Sequence, residues 1–174
     1  MEEHSGTLFH ETQRFNQWWI WLIVLLTAGI AWYGAYVQLL LKTPFGNNPA
    51  PDTLMWILWI VVGVLFPFAF KSMRLETRVR CDGLHVKFTI FQRKGTFLGY
   101  KDIQKFEIRT YKAYREFGGY GIRYGFSGKG RAYNVSGNKG IQLTLTDDKK
   151  FLIGTQKPEQ FFSALDSALR SFRG

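Results

Sequence analysis

The first third of the chain is built from long uncharged runs. Residues 18–41, WWIWLIVLLTAGIAWYGAYVQLLL, are 24 consecutive positions without a charge. As a helix they span about 36 Å, enough to cross a bilayer core with some tilt. Residues 54–70, LMWILWIVVGVLFPFAF, are another 17, about 26 Å as a helix and near the lower limit for a crossing. Trp56 and Trp59 suit one interface and Lys71 the other. Pro67 predicts a kink near the end of the second helix. Between the runs, KTPFGNNPAPDT carries Pro44, Gly46, Pro49 and Pro51 and reads as a turn joining antiparallel helices. The pattern thus predicts transmembrane helices over 18–41 and 54–70, with a short extracytoplasmic loop over 42–53. Residues 1–17 form a tail before them. It begins MEEHSG, without the basic segment of a signal peptide. Residues 9–15, FHETQRF, either extend the first helix or lie in the interface.

After residue 70 the period falls to two. Leu75, Thr77, Val79 and Cys81 alternate with Glu76, Arg78, Arg80 and Asp82, and Leu84, Val86, Phe88 and Ile90 with His85, Lys87, Thr89 and Phe91. Two alternating runs about Asp82-Gly83 are a hairpin signal, with Cys81 on the apolar face as a small core residue. Lys94-Gly95 and Asp147-Asp148 mark further turns, and short strands follow at 96–100, 106–110, 141–145 and 151–154. Strands over about 75–155 predict an antiparallel sandwich or barrel. Pro158 then opens a helix over about 158–172. Phe162, Leu165, Leu169 and Phe172 form its apolar stripe, widened by Phe161 and Ala168.

Charge divides the chain at the same point. Residues 1–70 hold two basic and four acidic side chains, a net of −2, whereas residues 71–174 hold 21 and nine, a net of +12. All six tryptophans lie in the first part. The inter-helix loop carries only Lys42, while Lys71, Arg74, Arg78 and Arg80 follow the second run within ten residues. The positive-inside rule places the 71–174 domain and the N-terminal tail in the cytoplasm, with both termini on that side of the cell membrane. One cysteine, Cys81, excludes an intrachain disulfide framework, and three scattered histidines offer no metal-ligand spacing. No cofactor or metal is expected.

The densest unusual chemistry is at 118–140, where eight glycines are interleaved with Tyr120, Arg123, Tyr124, Phe126, Lys129, Arg131 and Tyr133. Gly128-Lys129 is followed by Gly130, which breaks the P-loop pattern, and no helix follows Gly119, Gly121 and Gly125 as a dinucleotide site requires. Two readings remain open. Glycines serve tight turns and bulges, with Tyr and Arg as the outer face of an ordinary strand. Alternatively, Arg115, Tyr120, Arg123, Tyr124, Lys129, Arg131 and Tyr133 form a basic contact surface for a protein or for anionic headgroups. Single-stranded RNA would suit the same residue types but has little other support. His85 beside Lys87 reads as a lone exposed histidine, and no catalytic set is visible.

Three stretches, GGYGIRYGF (118–126), RAYNVSGNKGIQL (131–143) and FLIGTQKPEQF (151–161), follow the helical hairpin. In this order the chain resembles small prokaryotic two-helix membrane proteins with a bacterial pleckstrin-homology-like domain, a family of unassigned function. The resemblance implies an α+β membrane protein: a transmembrane hairpin, then an antiparallel sandwich or barrel capped by a C-terminal helix. It also implies a domain that binds lipids, peptides or proteins, or a second copy of itself. The expected function is a membrane-anchored, non-enzymatic binding or scaffold module. The alternatives are a lipid- or small-molecule-acting membrane enzyme and a structural subunit of a larger membrane complex.

Overall fold

Two antiparallel helices account for most of residues 15–73, which form a unit of their own within an α+β chain. The computed structural model describes residues 6–90, 92, 94–125 and 128–173; His4, Phe91, Phe126 and Gly174 lie outside them. Helix α1 is Trp18–Leu40 and α2 is Asp52–Ser72. The second has 21 residues, about 32 Å, so it is longer than its uncharged run. Asp52 begins it, where a carboxylate favours the helix dipole.

Proline shapes the contact between these helices. Pro67 has no N–H to return to the carbonyl of Gly63, four residues earlier. The Trp32 indole N–H of α1 donates to that carbonyl at 3.1 Å. The helix widens into a π-helical stretch over Trp59–Leu65 and continues through Pro67. A Cβ on Gly63 would approach the Trp32 ring to 3.2 Å, so the close contact favours glycine. Trp59 packs edge-on against Trp32, with ring centroids 5.0 Å apart. At one end Phe15 meets Phe70 at 5.2 Å. At the other, the Gln38 amide donates to the Ala50 carbonyl and to the Asp52 carboxylate. The remaining surface is apolar and open, with only 22% of the most apolar window of α1 and 11% of that of α2 buried.

The second unit joins residues 1–14 to residues 74–174. Strands β1 (Thr7–Arg14), β2 (Arg74–Arg80), β3 (Gly83–Phe88) and β4 (Thr96–Leu98) form one sheet in that order. Strands β5 (Ile103–Thr110), β6 (Gly121–Tyr124), β7 (Arg131–Asn134), β8 (Lys139–Leu145) and β9 (Lys150–Gly154) form another, in the order β5-β8-β9-β7-β6. A short helix α3 (Ala113–Phe117) follows β5, and α4 (Pro158–Arg173) closes the chain. Leu75, Val79, Leu84, Val86, Phe88, Ile141, Leu143, Leu152 and Ile153 are fully buried.

Helix α4 lies against β1, β2, β5 and β8, strands drawn from both sheets. Phe161 and Leu165 are fully buried, Ala168 and Leu169 nearly so. Each large apolar side chain buried here contributes about 1.5–3 kcal/mol. Phe161 stacks on Phe9 at 5.0 Å, and Phe162 meets Phe106 at 4.8 Å. Phe172, expected in the stripe, is 57% exposed and touches only the edge of the domain beside Tyr100.

The structure departs from the sequence pattern at four places. Residues 7–14 are a strand, not a helix extension or an interfacial segment: β1 pairs antiparallel with β2 from Thr7↔Arg80 to Arg14↔Arg74. Cys81 is exposed, because the ladder closes at Arg80↔Gly83 and leaves Cys81 and Asp82 as the turn. The second sheet is not wholly antiparallel, since β7 runs parallel to β9. Helix α3 stands between β5 and the 118–140 segment, where the sequence pattern predicted no element.

Strand β1 is tied inward by polar groups. Buried Glu11 accepts from the Thr155 hydroxyl and, at 2.9 Å, from the Gln156 N–H. Gln13 donates to the Gly154 carbonyl at 2.7 Å. Glu11→Ala removes the acceptor for one buried and one part-buried donor and is expected to cost about 1–3 kcal/mol, whereas exposed His10→Ala costs under about 0.5 kcal/mol; urea unfolding of the full chain in detergent measures both. Because Arg14 and Arg74 are ladder partners, replacing residues 15–73 by an Asn-Gly turn is expected to yield a folded soluble domain. The fragment 74–174, lacking β1, is expected to aggregate. Cooperative thermal unfolding of that fragment would contradict the role given to β1.

Candidate functional site

The surface expected at 118–140 begins with α3 and continues through the β6–β7 hairpin. Ile122 pairs with Tyr133 and Tyr124 with Arg131 across that hairpin. At its closed end the Gly125 N–H donates to the Gly130 carbonyl at 2.6 Å. Gly130 has φ +77° and lies so close to Lys150 that a Cβ would collide with the Lys150 carbonyl. This glycine is therefore required by the turn itself.

The seven expected residues do not converge. Arg131 sits over the rings of Tyr124 and Tyr133, 5.5 and 5.0 Å from their centroids. Tyr133 is fully buried, stacked on Phe151, with its hydroxyl held by Gln92 at 2.8 Å and Thr96 at 2.9 Å. It belongs to the core, which corrects its placement on a contact surface. Lys129 is paired to Glu116 at 3.2 Å. Tyr120 is half-buried against Tyr114. Arg123 donates to the Tyr120 carbonyl at 3.1 Å and, like Arg115, is exposed. Arg115, Arg123 and Tyr124 remain open to a partner.

Glu116 gathers the cations here. Its carboxylate meets Arg109, Lys129 and, at 2.8 Å, the Lys112 N–H. Burial alone would raise its pKa, but those hydrogen bonds and charges outweigh it and hold the carboxyl below its ordinary 4.5.

A second basic surface escapes the sequence pattern because it depends on strand pairing. Along the outer face of the first sheet, His10 pairs with Arg78, Arg78 with His85, and His85 with Phe97. In the neighbouring rows Thr12 pairs with Glu76 and Glu76 with Lys87, while Arg14 pairs with Arg74. This face holds a groove of about 290 Å³ whose lining includes Arg78, Arg80, His85, Lys87, Lys94 and Phe97. Glu76 is the single carboxylate in its lining. It is already engaged by Arg78 and, at 3.0 Å, by His10. Burial would raise the Glu76 pKa, but these two partners hold it below 4.5, so it stays ionised at neutral pH. The alternation of Arg74, Arg78 and Arg80 was a signal for this face. The contribution of His10 was hidden until β1 was placed.

Among the described residues, neither surface shows a histidine with hydrogen-bond partners on both ring nitrogens. A histidine relay places its two partners on opposite ring nitrogens, whereas Thr12 and Glu76 both approach Nε2 of His10. His85 lines the groove, but its Nε2 is held by Asp82 at 3.1 Å. No group of three metal-ligating side chains occurs among the described residues.

With this geometry in place, comparison with protein families gives a match over residues 1–172 to DUF6141, a family of unknown function. The chain belongs to DUF6141. The match takes in β1, both helices and both sheets, so the interrupted arrangement lies within a single family region. No curated protein matches this DUF6141 chain.

Stability near α3 is expected to depend on acid. A carboxylate whose folded pKa is depressed contributes stability above its unfolded pKa and loses it as pH falls through the folded value. Glu116→Gln is therefore expected to be less stable than the parent at pH 7, with the gap closing as pH falls from 5 to 3. Chemical unfolding at each pH measures this, and a constant gap would exclude Glu116 as its source.

Proposed function

We propose that this DUF6141 protein is an integral membrane protein whose helical hairpin anchors a non-enzymatic binding module at the cytoplasmic face. The observation that carries this reading is the β1–β2 ladder. Residues on either side of the hairpin share one sheet, so a membrane-crossing hairpin must return to the side it left. Both crossings then follow from one another, and both termini lie on the same side.

Three features support insertion. Both helices are long and apolar enough to cross a bilayer, and their apolar side chains are largely exposed, unlike those of a soluble core helix. The loop between them holds one basic residue, Lys42, against Lys71, Arg74, Arg78 and Arg80 after α2. That asymmetry favours a cytoplasmic domain.

The sheet unit is read as a pleckstrin-homology-like sandwich, supported by two sheets and a terminal helix that spans them. The parallel β7–β9 pair and the strand contributed from before the hairpin are its variations on that plan. Its net charge and exposed Arg115 and Arg123 suit an acidic protein partner or anionic headgroups at the inner leaflet.

The sole cysteine, Cys81, is exposed and serves as a native reporter. A membrane-impermeant maleimide is expected to label Cys81 in inverted vesicles and to spare it in right-side-out vesicles. A Cys81→Ser, Asn47→Cys variant is expected to show the opposite pattern. Labelling of Cys81 from outside would overturn the topology.

A further inference from the structure

We infer that the groove on the outer face of the first sheet is a binding site for a compact phosphate group, held by Arg80, Lys87 and Lys94 against a wall formed by His85 and Phe97. This deepens the binding-module reading by naming a site and a ligand class. It does not require the hairpin to cross a membrane.

The charge count within the groove comes first. Arg78, Arg80, Lys87 and Lys94 line it against Glu76 alone. Glu76 is consumed by Arg78 and His10. Arg80, Lys87 and Lys94 have no ion pair among the described residues. Three cations that line one groove are left for an external anion. Arg80 adds a further sign, for its buried Nε has no hydrogen-bond partner among the described residues. Buried polar groups are normally satisfied, and an arginine N–H is matched in geometry to phosphate oxygens.

Shape narrows the ligand. A groove of about 290 Å³ is at the small end for ligand sites, suited to a phosphate-bearing headgroup and too small for a folded polymer. Phe97 is 54% exposed and packs on His85 at 4.9 Å, which gives the site one flat apolar side. Arg80 and Lys87 stand on paired strands and Lys94 on the connection leading to β4. Side chains on a sheet hold such a constellation more firmly than loop residues do.

A compact phosphate group exists both as a lipid headgroup and in soluble compounds. The test therefore uses pyrophosphate as a soluble probe and bicelles doped with phosphatidic acid as a lipid probe. Bicelles doped with phosphatidylglycerol, a diester, are the control. The full chain in neutral detergent or bicelles is titrated by calorimetry. Lys87→Gln, Lys94→Gln changes two exposed side chains and leaves the core untouched. Lys112→Gln, Lys139→Gln removes the same charge from two exposed positions at the other sheet.

The groove variant is expected to bind pyrophosphate or phosphatidic acid at least tenfold more weakly than the parent, and the distal variant within twofold. Arg80→Gln, checked for an unchanged unfolding midpoint, is expected to match the groove variant. Binding of pyrophosphate alone identifies a soluble ligand, and of phosphatidic acid alone a lipid headgroup. Equal losses in both double variants would show generic charge attraction and overturn the site, as would no binding of either probe. Groove-dependent pyrophosphate binding together with outside labelling of Cys81 would keep the site and reject the membrane topology.

Discussion

Everything in this fold depends on the pairing of a strand made before the helical hairpin with one made after it. Thr7 finds Arg80 and Arg14 finds Arg74, although the whole hairpin separates them in sequence. A flexible connection of that length would carry a substantial closure entropy. Here most of it is folded into two helices that bring the chain back on itself, since Phe15 and Phe70 meet within the helical unit. Hairpin formation thus prepares the ladder, and the ladder fixes the hairpin as an insertion between two neighbouring strands. Contacts of such long range form slowly.

The register of that ladder is secured from inside. The inward positions of β1 are Phe9, Glu11 and Gln13. A slip of one residue would turn all three outward and bury His10 and Thr12 instead. Glu11 and Gln13 meet donors and an acceptor at the approach to α4, and Phe9 stacks on Phe161. The strand before the hairpin is thereby locked to the last helix of the chain. A buried carboxylate with two donors adds more to specificity than to stability, which is the role required where a strand must join at one register.

The same polar inward face explains what the sequence conceals. The two apolar helices, the hairpin near Asp82-Gly83 and α4 were legible because their periodicity is carried by apolar side chains. Strand β1 was not, because Glu11 and Gln13 occupy positions where a core strand normally shows aliphatic residues. Cys81 was misplaced by a one-residue shift in the turn, which is enough to move a side chain from core to solvent. The parallel β7–β9 pair leaves no local signature. Among the residues of 118–140, Tyr133 and Lys129 looked available only because their partners, Gln92, Thr96 and Glu116, are distant in sequence.

The outer face of the first sheet makes the complementary case. Like charges directly opposite one another destabilise an antiparallel pair, yet Arg14 faces Arg74 and Arg78 stands between His10 and His85. One carboxylate, Glu76, serves two of these groups. An arrangement chosen for stability alone would alternate the signs, as Glu76 and Lys87 do in the next row. Places where a local rule is broken within an otherwise consistent fold are where function is expected. In the 118–140 segment Lys129 is paired to Glu116 and Arg131 sits over tyrosine rings, and Gly130 serves turn geometry. On the first sheet Arg80 and Lys87 have no ion pair among the described residues, and both stand on paired strands in a concave setting. Arg80 and Lys87 stand on the sheet that β1 completes, which couples the chain's most demanding folding step to this groove.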